Sequence, residues 1–348
     1  MVTISHSSCT DSTMNATPSP FLQQVLQEAT PPTSPLVLAN GVTAIWHDGS
    51  AIELRPANLA ASASHILLSC GVHGNETAPI EVVDGILADI ASGQLALRHP
   101  LLVLFGNPEA MRCGERYLDY DLNRLFNRAY LQHPGLRESK RAAILEQHAD
   151  RFFQQAKPAG KRLHYDLHTA IRGSVYEKFA IYPFLQQRQH DRAQLAWLKH
   201  CGIEAVLLHS KPANTFSYYT SHAHQADAFT LELGKARPFG ENDLSRFTGI
   251  DLALRQLLSD STPPLPDYQH DDIPLFRAKY DLIKHSEDFR LHLSSGVENF
   301  TLLPDGFVIA DDGSQRYIAS GGDERILFPN PTVKPGLRAG IVVEPTRL

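Results

Sequence analysis

Apolar and polar positions along this chain fall into two rhythms. Short, nearly continuous apolar runs, Ile66-Leu67-Leu68, Leu101-Leu102-Val103-Leu104-Phe105 and Ala205-Val206-Leu207-Leu208, read as strands buried on both faces. Between them lie longer stretches with apolar residues at helical spacing. Ile80, Val83, Ile86, Leu87 and Ile90 predict a helix over residues 78–92. The same pattern predicts helices over 136–155, over 191–201 (stopped by Gly202) and over 243–259. Further strands are predicted over 162–168, 179–182 and 228–232, and an opening hairpin over 35–46 and 51–56. Strands that are apolar throughout and alternate with helices predict an α/β sheet covered on both faces.

The rhythm breaks at Thr262-Pro263-Pro264-Leu265-Pro266, a stiff connector. Beyond it the strands shorten, punctuated by turn signals at Asp311-Asp312-Gly313, Gly321-Gly322, Asn330-Pro331 and Lys334-Pro335-Gly336. Residues 263–348 therefore predict a small, mostly-β C-terminal domain behind a main domain over 35–262. Residues 1–34, rich in Ser, Thr and Pro, predict a flexible N-terminal arm, with a turn or two of helix open over 21–27.

Composition narrows the function class more than the fold. With 348 residues, 43% hydrophobic and 20% charged, the chain has the make-up of a soluble globular protein. A net charge of −6 argues against nucleic acid or an anionic membrane as the main partner. It leaves open a small anionic substrate, which responds to local charge. Cys9, Cys70, Cys113 and Cys201 lie far apart with no CxxC pair, which points to a reducing cytoplasm rather than a disulfide framework. No signal peptide and no membrane-length apolar run is predicted.

The chemistry gathers at strand ends. His73 and Glu76, in Gly71-Val72-His73-Gly74-Asn75-Glu76, leave the end of the strand at Ile66-Leu67-Leu68 together. Open α/β sheets place ligands at such ends, and a catalytic zinc takes three protein ligands while keeping one position open. His168, ending the run Tyr165-Asp166-Leu167-His168, is the expected third ligand, with Asp166 to orient it. An HxxE spacing is common by chance in a chain with 17 histidines, so position carries the reading. His222 and His224 fall in a polar loop, and His148, His190 and His200 on helix faces; all five read as solvated.

Glu232 closes another apolar strand, where a carboxylate is costly to bury alone. It reads either as a general base beside an activated water or as a structural partner of Lys235 or Arg237. The segment 112–124 is dense in Arg, Asp and Asn. Arg116, Asn123 and Arg124 read either as a clamp for a carboxylate and a carbonyl or as a salt-bridge cluster with Asp119 and Asp121. No GxSxG elbow, P-loop or dinucleotide fingerprint occurs.

Taken in order, Gly71-Val72-His73-Gly74-Asn75-Glu76, Asp121-Leu122-Asn123-Arg124, Asp166-Leu167-His168 and Glu232 resemble the succinylglutamate desuccinylase and aspartoacylase family, relatives of the zinc carboxypeptidases. The resemblance covers most of residues 65–245. It implies a three-layer α/β/α sandwich with a β-rich C-terminal domain, and a zinc-dependent catalytic domain over 35–262. It further implies one zinc held by His73, Glu76 and His168, Glu232 as base and proton donor, and Arg116 at the carbonyl oxygen. Asn123 and Arg124 would hold the amino-acid carboxylate, and Arg172 is the expected cation for a distal succinyl carboxylate. The implied reaction is hydrolysis of N2-succinyl-L-glutamate to succinate and L-glutamate in arginine catabolism. The alternatives are an acylase acting on acetylated amino acids, a peptidase, and a non-catalytic zinc- or ligand-binding module.

Overall fold

The computed structural model describes residues 18–348. The expected flexible arm therefore lies partly outside the described residues, over 1–17. Its later part is ordered against the core. Ser19 caps helix α1 (Pro20–Leu26), whose Phe21, Leu22 and Val25 are buried. Strands β1 (Leu36–Val37), β2 (Thr43–Asp48) and β3 (Ala51–Arg55) form the opening antiparallel ribbon.

The α/β region follows as β4 (His65–Cys70), α2 (Thr77–Ser92), β5 (Leu101–Phe105), α3 (Pro108–Cys113), α4 (Arg137–Gln154), β6 (Arg162–Ala170) and β7 (Phe179–Tyr182). Next come α5 (Arg192–His200), β8 (Ala205–Leu208), α6 (Phe216–His224), β9 (Asp227–Lys235) and α7 (Thr248–Leu258). The chain ends in β10 (Leu275–Ile283), β11 (Arg290–Leu291), β12 (Thr301–Leu302), β13 (Val308–Asp312), β14 (Gln315–Ile318), β15 (Arg325–Leu327) and β16 (Arg338–Thr346).

Alternate residues of the central strands feed two cores. Ile66, Leu68, Val103 and Phe105 pack with α1, α2, α5 and α7 on one face. Leu67, Leu102 and Leu104 pack with α4 and α6 on the other. The result is a three-layer α/β/α sandwich.

Two helices depart from the expected pattern. Helix α3 is not among the predicted helices; Asn107 caps it and Pro108 takes its first position. Helix α6 replaces the predicted polar loop, and it carries His222 and His224. Its polar composition hides a buried face of Phe216, Tyr218 and Tyr219. His148, expected in solvent, is buried with Nε2 2.8 Å from Asp48.

Pro263, Pro264 and Pro266 mark a change of composition without ending the sheet. Strand β10 runs parallel to β8, with Phe276 opposite Leu207. Among the described residues the main sheet thus has the order β1-β2-β3-β5-β4-β6-β9-β7-β8-β10-β16-β15-β12. Phe179, Leu207, Phe276, Phe300 and Val343 share one core across the junction. The remaining β strands, β11, β13 and β14, form a small second sheet.

Candidate active site

Strand β4 feeds the site through a loop that leaves no room for side chains at its two glycines. Gly71 has φ +65°, and a Cβ at Gly74 would fall 2.2 Å from the Ala110 carbonyl carbon of α3. Glu76 then sits at the N-cap of α2 yet makes no side-chain capping bond. Its carboxylate is committed elsewhere. Oε1 faces His73 Nδ1 at 2.8 Å and accepts from Arg116 Nη1 at 2.7 Å. Oε2 faces His168 Nδ1 at 2.8 Å and accepts from the Thr169 N–H at 3.1 Å.

Both histidines are also backed by a carboxylate on the far side. His73 Nε2 lies 2.9 Å from Asp121 Oδ1, and His168 Nε2 lies 3.0 Å from Asp166 Oδ2. A ring facing carboxylate oxygens through both nitrogens must hold two protons or meet a cation on one side. His168 shows that demand. Burial opposes its charge, but Asp166 and Glu76 outweigh burial and hold its pKa well above the ordinary histidine value. A divalent cation held by His73, Glu76 and His168 would meet the demand with neutral rings. Ligand atoms of His73, Glu76 and His168 all lie within 4.8 Å of one another, and all three residues are buried. Two imidazoles and a carboxylate are a donor set that catalytic zinc accepts, so these residues fit a zinc ion.

Glu232 stands directly opposite His168 in the parallel pairing of β6 with β9. Just beyond that point the register shifts, a bulge of the kind that re-aims side chains at functional sites. The carboxylate is buried, and its Oε2 has no hydrogen-bond partner. Burial pushes its pKa up to about 7; Glu76 adds to the rise, while His168 and Arg116 oppose it. Neither Lys235 nor Arg237 forms an ion pair with it among the described residues.

The segment before α4 is held by a residue that the sequence reading passed over. Glu138 of α4 is buried, and its carboxylate accepts from the backbone N–H groups of Leu118 (2.8 Å) and Tyr120 (3.2 Å). That anchorage presents Asp121, Asn123 and Arg124. Asp121, expected only as a salt-bridge partner in this segment, lies 3.8 Å from Arg116 and also backs His73, a part the sequence reading did not give it. Burial would raise Asp121, but His73 and Arg124 outweigh it and hold the carboxyl well below the usual range. Asn123 Oδ1 accepts from the Phe216 N–H at 3.0 Å, which fixes the amide orientation. Its Nδ2 lies 3.4 Å from His168 Nε2. When Nε2 carries the proton given to Asp166, donor faces donor, and the Asn123 NH2 group is left for an incoming acceptor.

Arg124 donates to the Asn123 carbonyl at 2.8 Å. Nearby, Arg338 at the start of β16 is pushed down to about 10 by burial and by Arg124, with Asp281 opposing. This C-terminal cation has no motif around it that sequence reading could use. Arg172 is not drawn into the cluster; it donates to the Ser295 carbonyl of the C-terminal domain.

Two family models match the chain. Residues 62–258 match the Succinylglutamate desuccinylase/Aspartoacylase catalytic domain, and residues 271–346 match the AstE/AspA barrel-sandwich hybrid domain. The chain belongs to the succinylglutamate desuccinylase/aspartoacylase family. Within it, the succinylglutamate desuccinylase of Chromobacterium violaceum is 66% identical over 312 residues, covering 89% of this chain and 92% of that protein. The crystal structure of the succinylglutamate desuccinylase from Chromobacterium violaceum superposes with a TM-score of 0.86 at 62% identity, covering 95% of this chain and 99% of the other. The Vibrio parahaemolyticus enzyme of the same name superposes at 0.88 with 34% identity, over 94% of this chain and 95% of the other. The fold is thus the family's carboxypeptidase-like sandwich with a small β domain at its C-terminus.

Proposed function

We propose that this chain is a zinc-dependent amidohydrolase that converts N2-succinyl-L-glutamate and water to succinate and L-glutamate. The observation that carries the reading is the meeting of His73, Glu76 and His168 beside an unpartnered, buried Glu232. Family membership and relatives named succinylglutamate desuccinylase at 66% and 47% identity support the same substrate. The reaction would be the last step of arginine catabolism by the succinyltransferase route, carried out in the cytoplasm. No helix among the described residues is long and apolar enough to cross a membrane.

His73, Glu76 and His168 would hold the zinc. When bound, zinc acts as a Lewis acid that acidifies water and polarises a carbonyl. Glu232, with a pKa near neutrality, is suited to take the proton from the attacking water and to return it to the leaving amine nitrogen. Arg116 brings a permanent positive charge; burial works against it, but Glu76, Asp121 and Glu232 outweigh burial and raise its pKa. That charge would stabilise the oxygen of the carbonyl as negative charge grows there. The free NH2 group of Asn123 and the guanidinium of Arg124 would hold the carboxylate of the amino-acid half. Arg172 would have to leave the Ser295 carbonyl to reach a distal succinyl carboxylate.

The related acylase reading differs in the acyl group and in the amino acid that carries it. A side-by-side assay of succinylglutamate, succinylarginine, acetylaspartate and acetylglutamate separates the two. Succinylglutamate is expected to give the highest kcat/KM, and preference for an acetyl donor would overturn the assignment.

A further inference from the structure

Behind His168 runs a row of fully buried polar side chains. Ser69 of β4, His164 and Asp166 of β6, and Thr220 of α6 are each 0% exposed. Alternation along β6 puts residues 164, 166 and 168 on one face, and the β4–β6 register sets Ser69 beside Asp166. Ser69 Oγ donates to Asp166 Oδ1 and lies 2.8 Å from His164 Nε2. His164 Nδ1 lies 2.7 Å from Thr220 Oγ1.

The direction of every hydrogen in this row can be worked out. The single Ser69 hydroxyl hydrogen goes to Asp166 Oδ1. Ser69 Oγ must then accept from His164 Nε2–H. Burial lowers the His164 pKa to about 4, with Asp166 opposing, so the ring is neutral at pH 7 and its Nδ1 bears no proton. Nδ1 therefore accepts from the Thr220 hydroxyl. All three hydrogens point toward Asp166, each bond strengthening the next. Asp166 is left with Oδ2 to accept from His168 Nε2–H, which turns His168 Nδ1 toward Glu76.

We infer that Ser69 and His164 are positioning residues for the metal centre, fixing Asp166 as the hydrogen-bond acceptor that sets the tautomer and aim of His168. The inference rests on the zinc reading given above. A packing role alone would not require polar atoms here, since apolar side chains of similar size fill such faces elsewhere in this sheet.

The test is the zinc dissociation constant of the metal-free protein, measured by competition with a chromophoric chelator at neutral pH, with circular dichroism to check folding. Ser69→Ala is expected to weaken zinc binding about ten- to hundredfold, and His164→Phe about tenfold. His164→Gln, whose amide can still donate to Ser69, is expected to recover part of that loss. Ser69→Ala removes one oxygen and adds nothing, so it decides the matter even where His164→Phe fails to fold. Tight zinc binding by the parent with Ser69→Ala within twofold of it would overturn this inference and leave the zinc reading standing. A parent that binds no zinc would overturn the zinc reading, and this inference with it.

Discussion

The cluster around Asp48 and the cluster around Glu76 are built from the same parts, yet they balance differently. Asp48 accepts from Arg141 Nη1 at 2.9 Å and from the Ser50 N–H at 2.7 Å, and faces His148 Nε2 at 2.8 Å. Beside it, Glu53 accepts from Arg55 Nε at 2.5 Å and faces His47 Nε2 at 2.7 Å. Each carboxylate there has its own guanidinium and its own histidine. Around Glu76, four carboxylates (Glu76, Asp121, Asp166 and Glu232) meet two guanidiniums, Arg116 and Arg124. Here Glu76 and Asp166 share one histidine, His168, and Glu232 Oε2 has no hydrogen-bond partner, so cationic partners are scarcer than around Asp48. Buried histidine–carboxylate pairs are thus no sign of a metal by themselves; carboxylates that must share their cationic partners are.

That contrast is open to direct attack. His168→Ala should abolish zinc binding and turnover, whereas His148→Ala should leave both in place and cost about 1–3 kcal/mol of stability, read by denaturant unfolding. Zinc lost from His148→Ala would erase the distinction. Glu232→Ala should keep zinc and fold but lower kcat by about 10²–10⁴-fold, measured by succinate release. A variant with parental turnover would remove Glu232 from the mechanism.

Smaller effects sharpen the account. Arg338→Met should raise KM for succinylglutamate about tenfold with kcat little changed, because it removes a buried cation close to Arg124, the proposed carboxylate-binding residue. An unchanged KM would place Arg338 outside the binding site. In the metal-free protein, Glu232 titrates near 7, against an ordinary value of 4.5. Its proton is bound more tightly in the folded state, so its contribution to stability is fullest below pH 4.5 and is lost as pH rises through 7. Metal-free Glu232→Gln should therefore melt above the metal-free parent at pH 8, with the gap closing as pH falls toward 4.5. A gap that does not depend on pH would contradict the raised pKa.

Much of the sandwich was legible because its strands are apolar on both faces and its helices carry regular apolar spacing. Helix α6 was not, because its Ser, Thr, Tyr and His residues read as a loop until Phe216 and Tyr219 find the core. The Pro-rich stretch at 263–266 correctly marks a change in composition, but only pairing in space shows β10 joining β8. His73, Glu76 and His168 could be named from strand ends and motif. Asp121 and Glu138 could not be assigned their parts, since one backs a ring nitrogen and the other binds backbone N–H groups. Neither contact leaves a pattern in sequence. Arg338 is more remote still, brought to Arg124 by the last strand of a different region.

The central claim is that zinc at His73, Glu76 and His168 is required to release succinate from succinylglutamate. The most direct measurement is metal content alongside succinate release, before chelation, after it, and after zinc is restored. The account predicts one zinc per chain, loss of succinate release on chelation, and its return with zinc. Full succinate release from metal-free protein would contradict it.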